Sequence, residues 1–330
     1  MLNKKEAYLC LSSVVRAREP RLLNAERAER MLDASSFEEA AKLLSDCGYE
    51  DMSQMGSKEI EVSLNTHRDS IFKEIEHLIP DKNIVDFFRM KYDYHNAKVL
   101  VKSEAMNMDG SRLLSSSGRI PGDRLKTMFY EEKFSEMPAK LREAISQAKS
   151  VLARTSNPQL SDFVLDKAYF SEMNDIAANS ENSFLKGYTS ILIDTANLKS
   201  AVRTMRMGKN SDFLHEALIP GGNTDPGRIL AASDKDSLLG LYSHTRLEKA
   251  AAAAADAIDG GSQTEFELAC DNAVNAFLKS AKLISFGAEP VAAYLAAVEN
   301  EITAVRMILT GRLAGVKPEI IKERLRDMYA

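Results

Sequence analysis

The sequence predicts an all-α protein that consists of three similar helical domains. Glycine and proline are scarce, with 16 and 9 among 330 residues, whereas the helix-favouring residues alanine, leucine, glutamate and lysine are abundant. A helical segment with one pattern of charged residues occurs three times, in residues 92–108, 193–208 and 300–315. A period of about 100 residues is too long for a solenoid repeat and suits a small domain. We therefore expect domains of residues 1–115, 116–218 and 219–330 around a pseudo-threefold axis.

Each copy of this motif helix contains an acid, a second position three residues later, and a base two residues after that. The aligned positions are Asp93, Asn96 and Lys98 in the first copy, Asp194, Asn197 and Lys199 in the second, and Glu301, Ala304 and Arg306 in the third. A polar residue in the preceding helix gives a second marker, because Asn65, Asp166 and Asp271 precede the acids by 28, 28 and 30 positions. We therefore expect the three motif helices to superpose, with the three acids equivalent.

The remaining segments of the first copy also have the spacing of helices. Residues 4–18 predict a helix that ends before Pro20. Ser36 and Glu39 have capping-box spacing and predict a helix that runs to Asp46. Residues 58–79 predict a longer helix that Pro80 ends, and the first motif helix follows.

After each motif helix the chain contains helix-breaking residues and then a new helix, in residues 118–125, 219–230 and 311–325. The last of these segments resembles the opening of a further copy, and residues 4–18 resemble the close of an earlier one. We therefore expect the array to close on itself, with its first and last helices completing one junction.

Charge and hydropathy exclude several classes of protein. A net charge of −5 does not favour non-specific binding to nucleic acid. Residues 1–18 are interrupted by charged side chains and do not form a signal peptide. The longest apolar run, residues 291–298, is far shorter than the roughly 20 residues that span a bilayer. We expect a protein of the cytoplasmic side that reaches a membrane only through another protein, without direct insertion into the bilayer.

The sequence contains no motif that indicates a cofactor, a metal ion or a catalytic nucleophile. Gly208 and Lys209 are not followed by the serine or threonine of a P-loop, and the glycines near Pro220 lack the preceding strand of a dinucleotide site. The five histidines show no pairing typical of metal ligands. We expect no catalytic residue, no bound metal and no cofactor.

The repeated acids have a structural and a catalytic interpretation. Paired carboxylates can act as general acid and base, but three equivalent copies would then require three active sites. Asp93, Asn96, Ala97 and Leu100 share one helical face. The structural interpretation, in which the acids and amides anchor helix starts or contacts between helices, is favoured.

Short rows of basic residues also recur on the motif helices, and such rows are most often a solvated face. Their members are Lys98, Lys102, Lys199, Arg203, Arg206, Arg306 and Arg312. In an acidic chain, three equivalent rows around a threefold axis could form one positive ring. We therefore regard these residues as candidates for binding a partner.

Several motifs together resemble those of a known family. They are Arg18-Glu19-x-x-Leu22-Leu23, the two Asp-x-x-Asn-x-Lys helices, Leu218-Ile219-Pro220-Gly221-Gly222 and, above all, a C-terminal block that begins at Glu289-Pro290 and continues through Glu299-x-Glu301 and Gly311-Arg312 to Glu323-Arg324-Leu325. Over essentially the whole chain, the pattern resembles the C-type subunit of V/A-type ATP synthases, whose counterpart in the eukaryotic proton pump is the d-type subunit.

This resemblance implies a funnel-shaped, non-catalytic rotor subunit with three similar helical domains. Such a subunit sits on the membrane rotor ring and receives the tip of the central stalk, which is made of D-type and F-type subunits. The resemblance thus implies ion transport by a rotary motor, whose nucleotides and coupling ions bind to other subunits. The basic rows would then face the stalk.

Two alternatives from other classes remain open on the sequence. One is an α-helical enzyme with a carboxylate-bound metal in its core. The other is a helical scaffold unrelated to ATPases. Detection of a bound metal would favour the enzyme, and neighbouring genes for ATPase subunits would favour the rotor subunit.

Overall fold

The computed structural model describes residues 5–180 and 182–330, and these residues form an all-α protein without a β-strand. The predicted fold class is confirmed. The α-helices of the described residues are α1 (Leu9–Arg18), α2 (Ala25–Asp33), α3 (Phe37–Lys42), α4 (Ser57–Leu78), α5 (Asn83–Met106), α6 (Gly122–Tyr130), α7 (Ala139–Thr155), α8 (Pro158–Asn179), α9 (Ser183–Arg206), α10 (Ser211–Ala217), α11 (Pro226–Ala231), α12 (Lys235–Gly240), α13 (Glu248–Ile258), α14 (Gln263–Lys279), α15 (Ala288–Leu313) and α16 (Pro318–Lys322). In this part of the chain, no helix is both long and apolar enough to cross a membrane.

The chain divides into two compact units. Unit 1 contains the residues up to Val85 together with His244–Ala257 and Gly261–Ala330, and unit 2 contains Asp86–Ser243 and Ile258–Gly260. The repeat boundaries at residues 115 and 218 describe similarity between segments rather than compactness. Division into three domains therefore stays a prediction.

The three motif helices are α5, α9 and α15, and all three end in the same way. The residue that adopts the left-handed conformation after the helix has φ of 50° at Asn107, 60° at Gly208 and 71° at Gly315. The next amide then reaches back five residues, from Met108 to Ser103 O, from Lys209 to Thr204 O and from Val316 to Gly311 O. This pattern is the Schellman motif, which satisfies carbonyl groups at a helix end. It lies at the same separation from the acid in each copy, so the three helices share one register.

In unit 1 the core forms around α15, which is buried on almost all sides. Helices α1, α4 and α14 pack against it. Arg68 of α4 is 1% exposed and forms an ion pair of 3.5 Å with Glu299 of α15. The short helices α2 and α3 pack on α15 as well, so residues near the start of the chain cover a helix near its end.

In unit 2, α7 and α8 form a helical hairpin, and α8 packs against α9. One apolar cluster joins α5, α6, α7 and α8 through buried side chains such as Leu100, Leu125, Ile145 and Leu165. The shared face predicted for the first motif helix is confirmed, because Asp93, Asn96 and Ala97 are each 0% exposed and Leu100 is 2% exposed.

The N-terminal elements differ from the sequence prediction in detail. Helix α1 begins at Leu9 after a 3₁₀ turn at Glu6–Tyr8, and residue 4 lies outside the described residues. Helix α3 ends at Lys42 and continues as a 3₁₀ helix, Leu43–Cys47, rather than as an α-helix to Asp46. Ser36 caps α3 as predicted, but the Glu39 carboxylate accepts from Ser35 N–H instead of closing the box on Ser36.

Candidate functional site

Each motif acid accepts a hydrogen bond from the backbone amide two residues before a helix begins. Ile120 N donates to Asp93 Oδ1 at 3.2 Å, ahead of α6. Thr224 N donates to Asp194 Oδ1 at 2.9 Å, ahead of α11. Leu23 N donates to Glu301 Oε2 at 2.8 Å, ahead of α2. We call these arrangements the first, second and third junction. In each one, a carboxylate fixes the entry of the chain into a helix, where backbone N–H groups lack partners of their own.

The third junction is made by segments that are far apart in sequence. Its amide and acid are separated by 278 positions, compared with 27 and 30 in the first and second junctions. Leu23 belongs to the N-terminal segment, and Glu301 to the last motif helix. The N-terminal segment thus contacts the last motif helix. The sequence predicts closure of the array through residues 4–18 and the segment after the last motif helix, and this contact involves neither of them.

The second oxygen of each acid has a different donor in each junction. Arg119 Nε donates to Asp93 at 2.6 Å, and the same guanidinium also contacts Glu172 at 2.6 Å. Asn223 Nδ2 donates to Asp194 at 2.8 Å. Tyr49 Oη donates to Glu301 at 2.7 Å. The second oxygen of the acid is thus bonded to a cation, an amide and a phenol, respectively.

The asparagine side chain of the motif helix forms hydrogen bonds to the same loop as the motif acid does. Asn96 exchanges two hydrogen bonds of 2.8 Å with the N–H and C=O of Ser115. Asn197 does the same with Ile219, again at 2.8 Å. Such a pair of bonds satisfies both backbone groups of one loop residue. Ala304 stands at this position in the third copy and has no side chain that could form these bonds.

Two positions that lie against the acids are occupied by glycine, and a residue with a side chain would not fit at either of them. A Cβ atom at Gly118 would overlap Asp93 Oδ1, and one at Gly222 would overlap Asp194 Oδ1. Both glycines stand two residues before the donating amide. The sequence pattern indicates only that both segments are helix-breaking turns, and the structure shows that these glycines also permit close approach to the carboxylate.

Burial dominates the electrostatics of two junction acids. Burial raises the pKa of Asp93 above its usual value, although Arg119 opposes the shift. Burial likewise raises the pKa of Glu301 to about 7, and the hydrogen bonds from Tyr49 and Leu23 offset only part of that shift. Removal from water disfavours the charged form of a carboxyl group.

The basic residues of the first motif helix have partners within their own unit. Lys98 Nζ lies 2.6 Å from Asp166 Oδ1, and Lys102 Nζ lies 3.0 Å from Asp162 Oδ2. Both acids belong to α8, so these ion pairs join α5 to the long helix of the following copy.

The same kind of link occurs in unit 1. Arg306 Nε lies 2.6 Å from Glu61 Oε1 of α4, and Arg312 donates to the carbonyl oxygens of Leu32, at 3.1 Å, and Ala34. In the second copy Lys199 is half-buried, as is Met205, whereas Arg203 and Arg206 are exposed. These three basic residues also have interaction partners. Binding of a partner by the basic rows stays a prediction.

No group of three or more His, Cys, Asp or Glu side chains that could hold a metal ion occurs among residues 5–180 and 182–330.

The sequence analysis missed three participants in the junctions, namely Arg119, Asn223 and Tyr49. Arg119 and Asn223 both stand immediately before the donating amide, and this shared position was the available signal. Tyr49 stands at no such position.

These features define an all-α repeat protein in which the repeated polar residues hold segments of the chain together. The chain belongs to the ATP synthase (C/AC39) subunit family, whose model matches residues 11–324. The resemblance to the C-type subunit of V/A-type ATP synthases is thereby confirmed.

Relatives in bacteria and archaea match along nearly the whole chain. The C-type subunit of the V-type sodium ATPase of Enterococcus hirae is 23% identical over 337 residues, which cover 98% of this chain and 99% of that protein. The C-type subunit of the A-type ATP synthase of Methanocaldococcus jannaschii is 22% identical, with coverage of 96% and 86%. The corresponding protein of Pyrococcus furiosus is 23% identical, with coverage of 98% and 91%.

Proposed function

We propose that this protein is the non-catalytic rotor subunit that couples the central stalk of a V/A-type ATPase to its membrane ring. The observation that carries the proposal is the family match over residues 11–324, together with relatives that are C-type subunits of V-type and A-type enzymes. In this role the protein transmits torque during ion transport. It acts at the cytoplasmic side of the membrane as a peripheral part of the complex.

Torque transfer requires a body that resists shear, and the junctions support such a role. Each motif acid fixes the start of another helix. Ion pairs such as Lys98–Asp166 and Arg306–Glu61 then join a motif helix to a long helix of another copy. Helices that are closely packed and joined by buried hydrogen bonds and ion pairs deform little under load.

Reconstitution of the rotary complex tests the proposal. The full-length protein should bind both the purified D-type and F-type stalk subunits and the detergent-solubilised membrane ring. In vesicles, a complex assembled without it should retain ATP hydrolysis by the catalytic head but lose ATP-driven ion transport. The proposal fails if the protein binds neither partner, or if transport is unchanged without it.

The non-catalytic part of the proposal has a separate test. Titration of the isolated protein with Mg-ATP should give no heat of binding at millimolar ligand, a limit of about 4 kcal/mol in affinity. Saturable binding at micromolar nucleotide would instead support an enzyme.

We further propose that the basic rows contact the stalk tip, chiefly during encounter. Lys98, Lys102 and Arg306 are already paired with acids, so a partner must compete for them, and charged residues at such a surface mainly affect the association rate. Replacement of Lys199, Arg203 and Arg306 by alanine should slow association with the stalk at low salt and flatten its salt dependence.

Lys235→Ala provides a matched control, because Lys235 forms an ion pair with Asp259 away from the motif helices. This variant should associate at the wild-type rate. An unaltered rate for the triple variant at low salt, with helicity retained, would remove the basic rows from the proposed interface.

A further inference from the structure

The third junction lacks two features that secure the others. Ala304 replaces the asparagine that clamps the loop in the first and second junctions. In those junctions, moreover, the held segment follows its motif acid within 30 positions, whereas Leu23 and Glu301 are separated by 278. The Leu23–Glu301 and Tyr49–Glu301 hydrogen bonds thus carry a larger share of the attachment than their counterparts do.

Two cavities lie beside Glu301, so the side chains around it are not fully packed. One cavity, of about 170 Å³, lies between the end of α1, the segment at Cys47 and Gly48, and helices α4 and α15. Another, of about 20 Å³, lies between Leu23, Glu301, Ala304 and the C-terminal residues 325–330. Side chains beside a void lose part of their dispersion contacts, so the two hydrogen bonds of Glu301 matter more to this attachment than they would in a fully packed site.

Both hydrogen bonds of Glu301 come from neutral donors, and the nearby cations bond to other groups. Arg27 donates to the carbonyl oxygens of Pro20 and Leu22, Arg18 pairs with Glu74, and Arg326 pairs with Asp271. The titratable and charged groups that face Glu301 from the surrounding elements are Arg18, Arg21, Arg27, Cys47, Tyr49, His67, Tyr294, Arg326, Asp327 and Tyr329.

Glu301 is the group in this set that changes charge near neutral pH. Burial and Glu301 itself raise the pKa of Cys47 to about 11 and raise that of Tyr49, so both stay protonated. Burial raises the pKa of Tyr294 to about 12 and lowers that of His67, so the imidazole is neutral above pH 6.5. Burial also raises the pKa of Tyr329, so this phenol stays protonated, and Asp327 is exposed.

We propose that the third junction is a proton-controlled latch, which is closed over neutral Glu301 and loosens when Glu301 releases its proton to water. In the closed state, Glu301 Oε2 accepts from Leu23 N–H, while Glu301 Oε1 carries the proton and stays bonded to Tyr49 Oη at 2.7 Å. Loss of the proton leaves a charged carboxylate that is only 5% exposed and is bonded to two neutral donors. The N-terminal segment that carries Leu23 then moves away from α15 more often, because opening hydrates the charge.

The direction of the pH effect follows from linkage. The pKa of Glu301 is about 7 when buried, compared with 4.5 when hydrated, so the closed junction binds a proton that the open junction has already released. Closure is therefore strongest at low pH, and its stability falls as pH rises from 4.5 to about 7. Above that pH the junction is at its weakest.

Amide hydrogen exchange of the full chain, measured by NMR, tests the latch. The protection factor of the Leu23 amide should fall about 50-fold between pH 5 and pH 8, since each unit of pKa difference is a factor of ten. The Thr224 amide serves as an internal control, because it forms the same bond to Asp194 in a junction that retains its asparagine. Its protection factor should change less than about threefold.

Glu301→Gln removes the titration but retains a side chain that can accept from Leu23 N–H and bond to Tyr49. In this variant the protection of Leu23 should not depend on pH, and at pH 8 it should exceed that of the wild type. Tyr49→Phe is a second variant that removes one bond to the charged form. It should move the midpoint of the transition to higher pH.

The latch is refuted if the protection of Leu23 follows that of Thr224 across the pH range in the wild type. It is also refuted if Leu23 exchanges only as slowly as the Val305 amide in the middle of α15, because the junction would then open only with global unfolding. A pH dependence that persists in Glu301→Gln would assign the effect to another group and would equally exclude the proposal. None of these outcomes depends on whether the protein binds a stalk or a ring.

Discussion

At the scale of single residues, the junctions show that one geometric task can be performed by different side chains. The acid and the backbone amide keep their arrangement in all three copies, but the second donor is Arg119, Asn223 or Tyr49. Only the acceptor must stay constant, because it has to reach a backbone group whose position the helix start fixes. The donors can vary wherever a polar hydrogen reaches the remaining oxygen.

In the second junction, replacement of Gly222, the glycine beside the acid, should lower the free energy of unfolding most. In Gly222→Ala the new methyl group displaces the Asp194 carboxylate from Thr224. We expect a loss of about 1–3 kcal/mol of unfolding free energy, as for other overpacked sites. Urea denaturation followed by circular dichroism measures it.

Gly240→Ala is the control for that substitution, because a Cβ atom at Gly240 meets no other atom within 4 Å. Its effect on the urea midpoint should be small. Equal losses in the two variants would mean that backbone freedom, rather than overlap with Asp194, decides the role of Gly222.

Sequence reasoning identified the acids and amides at this scale because their spacing recurs. It could not identify Arg119, Asn223 and Tyr49 as donors, because these side chains differ in chemistry and Tyr49 stands outside the repeat. Nor could it predict the ion pairs of Lys98 and Arg306, since their partners lie on other helices. Contacts of this kind depend on tertiary packing, which one sequence does not display.

At the scale of helices, the three motif helices end by one mechanism with two kinds of residue. Gly208 and Gly315 occupy the left-handed position in two copies, whereas Asn107 occupies it in the other. A non-glycine residue in that conformation is strained, although asparagine tolerates it better than most. The C-terminus of the first motif helix is therefore less stable than it would be with glycine at residue 107.

Asn107→Gly should stabilise the protein by about 0.5–1 kcal/mol, because it relieves the left-handed strain at the helix end. The melting temperature should rise. Gln147→Gly, in an exposed position in the middle of α7, is the opposite control and should destabilise by about 1 kcal/mol. A fall in melting temperature for Asn107→Gly would show that its side chain stabilises the helix end.

The ion pair between α5 and α8 gives a prediction with a pH dependence. Burial raises the pKa of Asp166, and Lys98 opposes that rise. In Lys98→Met the pKa of Asp166 should rise further above its unfolded value, so the cost of burying the charged form grows as pH increases. Because both side chains are partly exposed, we expect a loss of about 1 kcal/mol at pH 7 that shrinks towards pH 4. Urea denaturation at the two pH values measures it.

The double variant Lys98→Met/Asp166→Asn should recover most of that loss, because it removes the partly buried carboxylate charge together with its partner. Lys235→Met, which breaks the exposed pair with Asp259, should show no measurable change. If the single and double variants at residue 98 lose equal stability at pH 7, the apolar part of Lys98 rather than its charge stabilises the contact with α8.

At the scale of the whole molecule, the sequence predicted the fold class and the family correctly. The fold class was predictable because the spacing of apolar residues within short segments indicates helices. The family was predictable because the repeated motif recurs along the whole chain and is visible in the sequence alone. The division into two compact units was not predicted, because it depends on which segments distant in sequence pack together. Most of residues 244–330 share a unit with the first 85 residues. The pattern at the two ends of the chain predicts contact between its first and last helices, but not the extent of this shared unit.

The sequence separation of the third junction also has a consequence for how the chain comes to fold. The same type of bond closes segments of 27, 30 and 278 residues, and the longest closure costs about 2 kcal/mol more in chain entropy than the shortest. During synthesis at roughly 5–20 residues per second, Leu23 precedes Glu301 by roughly 15 to 55 s. The first two junctions can form as soon as their segments leave the ribosome. We expect the N-terminal helices to remain without their main packing partner until the last motif helix is made, so an early-folding ribosome-bound intermediate should bind chaperones through α1–α3.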